Sequence, residues 1–183
     1  VNVLEALHSR RSLVVFDAVE VPDDKELLRL VEAAATAPDH GRLRPWRLLV
    51  HRGPGREQLG AALAEGSENP ERERAKPLRA PMLVSIVFQP AEKAKIPRWE
   101  QLAGVSAMVY GLSLGLHAEG WGSSWRTGGR LSAPAVRAFL GLAEHEELLG
   151  WLYVGRPVES SGPAPRPAFD VAGRVEFDDH AVL

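Results

Sequence analysis

Residues 102–118 read LAGVSAMVYGLSLGLHA, with no Asp, Glu, Lys or Arg. A membrane-spanning helix needs at least ~17 such residues, so the stretch sits at the lower limit. Gly104, Ser106, Gly111, Ser113, Gly115 and His117 dilute it further. A helix apolar on all sides is also what the centre of a globular protein requires. The stretch therefore predicts a buried central helix, running from Pro97 to about Glu119, with the rest of the chain packed around it.

The flanking pattern supplies a sheet. MLVSIVF at 82–88 is short, nearly continuous in apolar residues and rich in Val and Ile, as a buried strand requires. RLLVHR at 47–52 and residues 121–126 and 148–154 are further strand candidates. Helices are expected at 3–8, 21–37, 56–65 and 133–140. In 21–37, Asp23 and Glu26 have capping-box spacing, and Leu27, Leu30, Val31, Ala34 and Ala35 share one face. Ser132 is the expected cap of 133–140, with Pro134 in the first turn. SENPERERAKPLR at 67–79 has too little apolar content to fold alone and reads as mobile. The segment that opens RPVESSGPAPRPAFD at 156 is too rich in proline for a central strand; it is either loose or laid over another surface. No repeat or linker divides the chain. The expectation is one domain over 1–183, a sheet of a few strands with helices on both faces, and a Pro-rich tail over 156–183.

Composition narrows the chemistry. A formal charge of −2 gives no global field toward nucleic acid or membrane, so neither is an expected partner. Absence of Cys excludes disulfides, thiolate nucleophiles and Cys-ligated metals, and redox chemistry would need a borrowed cofactor. The start, VNVLEALHSRRS, lacks the long apolar region of a secretory signal, which makes the cytoplasm the default expectation. Histidines at 8, 40, 51, 117, 145 and 180 show no metal-ligand spacing, so no metal is expected. GPGREQLG at 53–60 fails the dinucleotide-fold pattern, and neither a phosphate-loop lysine motif nor a GxSxG elbow is present.

Three segments concentrate polar chemistry. Arg10, Arg11 and Ser12 can hold a phosphate through charge-assisted hydrogen bonds, although an Arg pair is also compatible with a solvated surface. APDHGRLRPW at 37–46 packs His40 and two arginines into a short loop before a strand; His40 can serve a ligand or a local carbonyl. GWGSSWRTGG at 120–129 sets two tryptophans among glycines and hydroxyls. That permits close approach of a flat ligand to the backbone, or a tight turn with aromatics in the core.

Together, RRSLVVFD at 10–17, APDHGRLRPWRLLV at 37–50, GWGSSWRTG at 120–128 and LYVGRP at 152–157 resemble, in the right order, the FMN-dependent nitroreductase family. APDH, PRWEQ at 97–101 and WRTG at 125–128 look most like its short, single-domain NAD(P)H nitroreductase subgroup. The resemblance implies an α+β fold with a central mixed sheet flanked by helices, a long buried central helix, and a homodimer with flavin at the subunit interface. It implies that Arg10, Arg11 and Ser12 hold the phosphate end of FMN, that Thr36 and His40 contribute from the loop, and that Trp125, Arg126 and Thr127 line the flavin. It places NADH or NADPH near Leu116, His117, Ala118, Glu119, Gly120 and Trp121. Flavin N5 would carry the hydride, no side chain need be catalytic, and the acceptor would be a nitroaromatic, quinone or related small aromatic molecule. The chain departs from the family pattern at Val14, where a cation is common, and at Asp39, His40 and Arg42, where small polar residues are common. These departures keep open a flavin-binding or flavin-handling module without substantial turnover; a structural dimer that has lost the cofactor is a third reading, against which the intact RRS and WRTG segments argue.

Overall fold

The computed structural model describes residues 2–158 and 166–177. Of the expected Pro-rich tail, residues 159–165 and 178–183 lie outside the described residues. The spine is strand β2, Met82–Phe88, in which every residue is buried. Strand side chains alternate between faces. Met82, Val84, Ile86 and Phe88 enter one core, and Leu83 and Val87 enter the other. The one polar residue of the run, Ser85, is met by His51 at 2.8 Å.

Strands β1 (Trp46–Arg52) and β4 (Glu147–Gly155) flank β2, and β3 (Gly122–Arg126) pairs with the outer side of β4. The order is β1-β2-β4-β3, and all three pairings are antiparallel. The mixed character of the sheet comes from one parallel bridge, between Ser12 and Ser123 at the β3 edge.

Helix α1 covers Val3–Ser9 and helix α2 covers Asp24–Ala34. On the first face of the sheet, helix α5 (Arg98–Ala118) buries Val105, Met108, Val109, Leu112 and Leu116. Each such side chain contributes about 1.5–3 kcal/mol on leaving water. Helix α2 lies against α5, where a Cβ on Gly111 would come within 3.6 Å of Ala34 Cα. Gly111 and Gly115 are thus contact points between α5 and α2, and Gly104 meets Pro38 and Asp39 of the loop that follows α2. The outward side of α5 remains apolar: Trp99 is 70% and Tyr110 45% exposed. No helix among the described residues is long and apolar enough to cross a membrane.

On the second face lie helices α3 (Pro54–Ala64), α4 (Pro70–Ala75) and α6 (Pro134–Phe139). Here the expectation of mobility over 67–79 is corrected. The segment forms α4 and a 3-10 turn over Lys76–Arg79. Asn69 caps α4 by accepting from the Arg72 N–H, and Pro70 fits the first turn. Order comes from docking rather than composition. A Cβ on Gly60 of α3 would meet the Arg74 carbonyl at 2.5 Å, so only glycine permits this approach. Two caps also differ from expectation. Ser132 does not cap α6, which starts at Pro134 after Ala133. Asp23 accepts from the Glu26 N–H, but the Glu26 carboxylate accepts from Trp121 Nε1 at 2.7 Å instead of closing the box. The complete capping box belongs to α1, between Asn2 and Glu5.

Glu146 ties the loop before β4 to β1 and to the residue that follows β2. Its carboxylate accepts a bidentate pair from Arg47 at 2.8 and 2.7 Å, and further bonds from Gln89 and the Ala143 N–H. These donors, led by Arg47, hold its pKa down from 4.5 to about 2. A depressed carboxyl pKa stabilises the fold above the unfolded value, and that stability is lost as pH falls from about 4.5 toward 2. Glu146→Ala is expected to lower unfolding stability by roughly 2–3 kcal/mol, since it strands the part-buried Arg47. It should also flatten this acid limb in urea titrations at graded pH.

Candidate functional site

Two chain reversals meet at the β3 edge. The first follows α1: Arg10 leaves the helix with extended backbone, and the Leu13 N–H donates to Ser123 O at 3.1 Å. The second ends α5. The Gly120 N–H bonds to His117 O and the Trp121 N–H to Leu116 O, with Gly120 at φ +80°, so a Schellman motif reverses the chain. Gly122 is required by the junction, because a Cβ there would lie 2.4 Å from Leu13 Cδ1. Trp121 is buried, with the Arg156 guanidinium 3.7 Å from its ring centroid.

Between the reversals lies a cleft of about 200 Å³. Ser9, Arg10, Arg11 and Leu13 form one wall, His117 and Gly120–Ser123 the other, and Pro157 closes an end. The wall is cationic and incompletely paired. Arg11 donates to the carbonyls of His8 and Arg10, and Arg166 donates to those of Leu7 and Arg10. Arg10 and Arg11 make no salt bridge among the described residues. Nε of each is buried without a hydrogen-bond partner. Desolvation, then Arg166 and Arg10, pushes the Arg11 pKa down. Such crowding of like charge around unused donors favours a bound anion.

His117 Nε2 lies 2.7 Å from Ser9 Oγ, and that hydroxyl donates its single proton to Glu5 O at 2.6 Å. With that proton so placed, His117 Nε2 is the donor to Ser9 Oγ. Burial first, then Arg10 and Arg11, pushes the His117 pKa below its ordinary value.

The structure brings Arg10, Arg11, His117, Gly120 and Trp121 onto this cleft. Ser12 contributes through its backbone bridge. Leu116 is core, and Ala118 and Glu119 are exposed, with Glu119 paired to Arg29 at 3.0 Å. Thr36 is exposed and donates to Ala33 O. His40 pairs with Glu100 at 2.7 Å and lines a shallow groove beside Trp99 and Gly104. Trp125 and Arg126 sit on opposite faces of β3. Trp125 pairs across the strand with Leu152 and donates to Leu149 O, whereas Arg126 stands 5.3 Å from the Tyr153 ring. Arg126 and Thr127 line a second cavity. Sequence reasoning did not single out Ser9, Leu13, Ser123 or Pro157. Ser9 and Leu13 immediately flank the Arg-Arg-Ser segment, which was the available signal. Among the described residues no His, Cys, Asp or Glu group could hold a metal ion.

A family model described as "Nitroreductase family" matches residues 7–156. The chain belongs to the nitroreductase family. That match spans both walls of the cleft. Over 163 residues the chain is 34% identical to "Putative NAD(P)H nitroreductase YdjA" of Escherichia coli strain K12, covering 85% of this chain and 88% of the relative. It is 30% identical over 168 residues to "Putative NAD(P)H nitroreductase" of Haemophilus influenzae, with 87% and 91% covered. The nitroreductase fold is also found in a nitroreductase-like family protein from Bacillus cereus, at TM-score 0.85, 23% identity and 98% and 97% coverage. It recurs in the FMN and NADPH-dependent nitroreductase NfnB from Sphigopyxis sp. strain HMH, at TM-score 0.78, 20% identity and 98% and 100% coverage.

The cationic wall sets a measurable property of this family member. His117 is expected to titrate below the ordinary histidine range in a proton–carbon NMR series. Arg10→Ala should raise its pKa part of the way back, because one of the two neighbouring cations is removed. An unchanged midpoint would contradict the proximity of the two groups.

Proposed function

We propose that this nitroreductase-family chain is an FMN-dependent oxidoreductase. It takes reducing equivalents from NADH or NADPH and, in a ping-pong sequence, passes them to a nitroaromatic, quinone or related small aromatic acceptor. The observation that carries the proposal is the cleft wall of Arg10 and Arg11, which make no salt bridge among the described residues, set against a glycine-built turn. A phosphate monoester fits this wall, since guanidinium donors match its oxygens and retain their charge at any physiological pH. The names of the relatives point the same way: NAD(P)H nitroreductases in sequence, and an FMN and NADPH-dependent enzyme in fold. Bound FMN supplies hydride chemistry that a Cys-free chain does not provide from its own side chains.

The residues divide by task. Arg10, Arg11 and Ser12 hold the phosphate end. Trp125 offers an apolar face on the outer strand, half-exposed at 37%, with Arg126 and Thr127 completing the floor through their backbone. His117 and Gly120–Trp121 form the wall proposed for the nicotinamide dinucleotide, together with Leu116, Ala118 and Glu119. Thr36 and His40 do not line the cleft of their own chain, and are assigned to the flavin of a second copy. The exposed apolar stripe of α5, with Trp99, Leu102 and Tyr110, is the surface proposed to join two copies into a homodimer. Arg10 stands 5.8 Å from the Tyr110 ring, so this surface and the cleft share a border.

Purified protein is expected to show the absorbance bands of bound flavin and to bleach anaerobically on addition of NADH or NADPH. Protein that stays colourless after incubation with FMN would contradict the proposal. Bound flavin that never bleaches would favour a flavin-handling module, a reading to which the exposed Val14 lends support by leaving no cation at that position. Arg10→Ala should weaken FMN retention about ten- to a hundred-fold, the loss of one charged hydrogen bond, measured by ultrafiltration of the flavin.

A further inference from the structure

Among the side chains that line the cleft, His117 alone changes charge near neutral pH; Arg10 and Arg11 keep theirs. It stands half-buried in the last turn of α5, on the wall opposite the two arginines. Its Nε2 donates to Ser9 Oγ at 2.7 Å, and that hydroxyl donates in turn to Glu5 O. A further proton on the ring therefore goes to Nδ1.

The charges around the ring decide when that proton arrives. Burial first, then Arg10 and Arg11 from the segment after α1, push the His117 pKa down. Arg166 stands on the carbonyls of Leu7 and Arg10, adding to the same positive side. On α1, the Glu5 carboxylate accepts from the Asn2 N–H, and His8 is exposed. On α5, Glu119 is paired with Arg29. Glu26 of α2 is taken by the Trp121 N–H. After β4, Arg156 is held by Glu20 and the Glu119 carbonyl. From β3 the cleft receives only Gly122 and Ser123, which carry no charge. Proton entry is thus opposed by fixed cations, and among the described residues no carboxylate pairs with the ring. An oxyanion held by Arg10 and Arg11 reverses that balance, because its charge enters the same cleft of about 200 Å³.

We infer that His117 is a proton-linked third member of the anion wall: a dianionic tetrahedral oxyanion bound at Arg10 and Arg11 draws a proton from solvent onto His117 Nδ1, and the imidazolium then helps to hold it. The inference rests on the reading of Arg10 and Arg11 as a phosphate wall. It adds a dependence on pH that guanidinium groups alone do not give. The coupling is reciprocal, so an anion that raises the His117 midpoint by about one pH unit binds about tenfold tighter to the protonated protein. The gain is complete below the midpoint of the free protein and is lost as pH rises through the midpoint of the complex.

Sulfate and the phosphate end of FMN share this chemistry, and sulfate stays a dianion throughout the window. Proton–carbon NMR of the full chain, freed of any flavin by dialysis, follows His117 with and without saturating sulfate, with ionic strength held by chloride. Sulfate is expected to raise the His117 midpoint by about one unit, and calorimetry should show its affinity rising about tenfold as pH falls through the window. His117→Gln keeps an N–H for Ser9 but does not titrate, so its sulfate affinity should be flat with pH. His8→Gln should keep the wild-type slope. FMN should move the midpoint as sulfate does, and riboflavin, which lacks the phosphate, should not. A midpoint moved by sulfate while FMN fails to bind, or binds without moving it, contradicts the flavin proposal alone. A midpoint that sulfate leaves in place, an absence of saturable sulfate binding, or a wild-type slope in His117→Gln overturns this inference whatever FMN does. A shift with riboflavin equal to that with FMN overturns it too, because the ring and not the anion would then be the cause.

Discussion

The hydrogen bond from the Leu13 N–H to Ser123 O fixes everything that gives this chain a site. It extends the sheet by one parallel bridge and so holds the segment after α1 against the turn after α5. Without it, Arg10 and Arg11 would be two cations at the end of a seven-residue helix, free to remain in water. With it, they stand in a wall where no carboxylate among the described residues forms an ion pair with them. A Cβ on Gly122 would crowd the tip of Leu13 at 2.4 Å and Gly155 O at 3.3 Å, so glycine keeps the junction close. The cleft is thus a consequence of this edge pairing.

The scaffold that holds the edge in place is built from a strand that is buried on both sides. Antiparallel sheets commonly leave one face to water; here β2 is covered by α5 and α2 on one side and by α3 and α6 on the other. That double cover separates two polar environments. The cleft with Arg10 and Arg11 opens beside the C-terminal end of α5, and the cavity with Arg79 and Trp151 opens on the α4 side. Adjacent residues of β3, Trp125 and Arg126, belong to opposite faces because strand side chains alternate. A sequence motif that reads as one unit is divided by the sheet between two surfaces.

Much of this was legible before any coordinates. The apolar run 82–88 and the stretch 102–118 are segments where unbroken apolar composition calls for burial on every side, and both form the elements they predict. The Arg-Arg-Ser and glycine-turn segments were legible as partners through their resemblance to a family pattern, and they meet in the fold. What could not be read depends on contacts between residues distant in sequence. The segment 67–79 is ordered by Gly60 lying under Arg74, a contact that no local composition announces. Glu26 was expected to serve its own helix, yet it receives the indole N–H of Trp121 from 95 positions away. Ser9 joins the site through His117, 108 positions away along the chain. Loop residues Thr36 and His40 lie away from the cleft within one chain, and the proposal assigns them to the cleft of a second copy.

The most direct test of this account is a crystal structure of the protein grown with FMN. The account predicts the phosphate within hydrogen-bond distance of the Arg10 and Arg11 guanidinium groups, the ring system over the Trp125 face of β3, and a second copy packed on the α5 stripe. Flavin density that places the phosphate away from the two arginines, or density on the α4 side of the sheet alone, would contradict it.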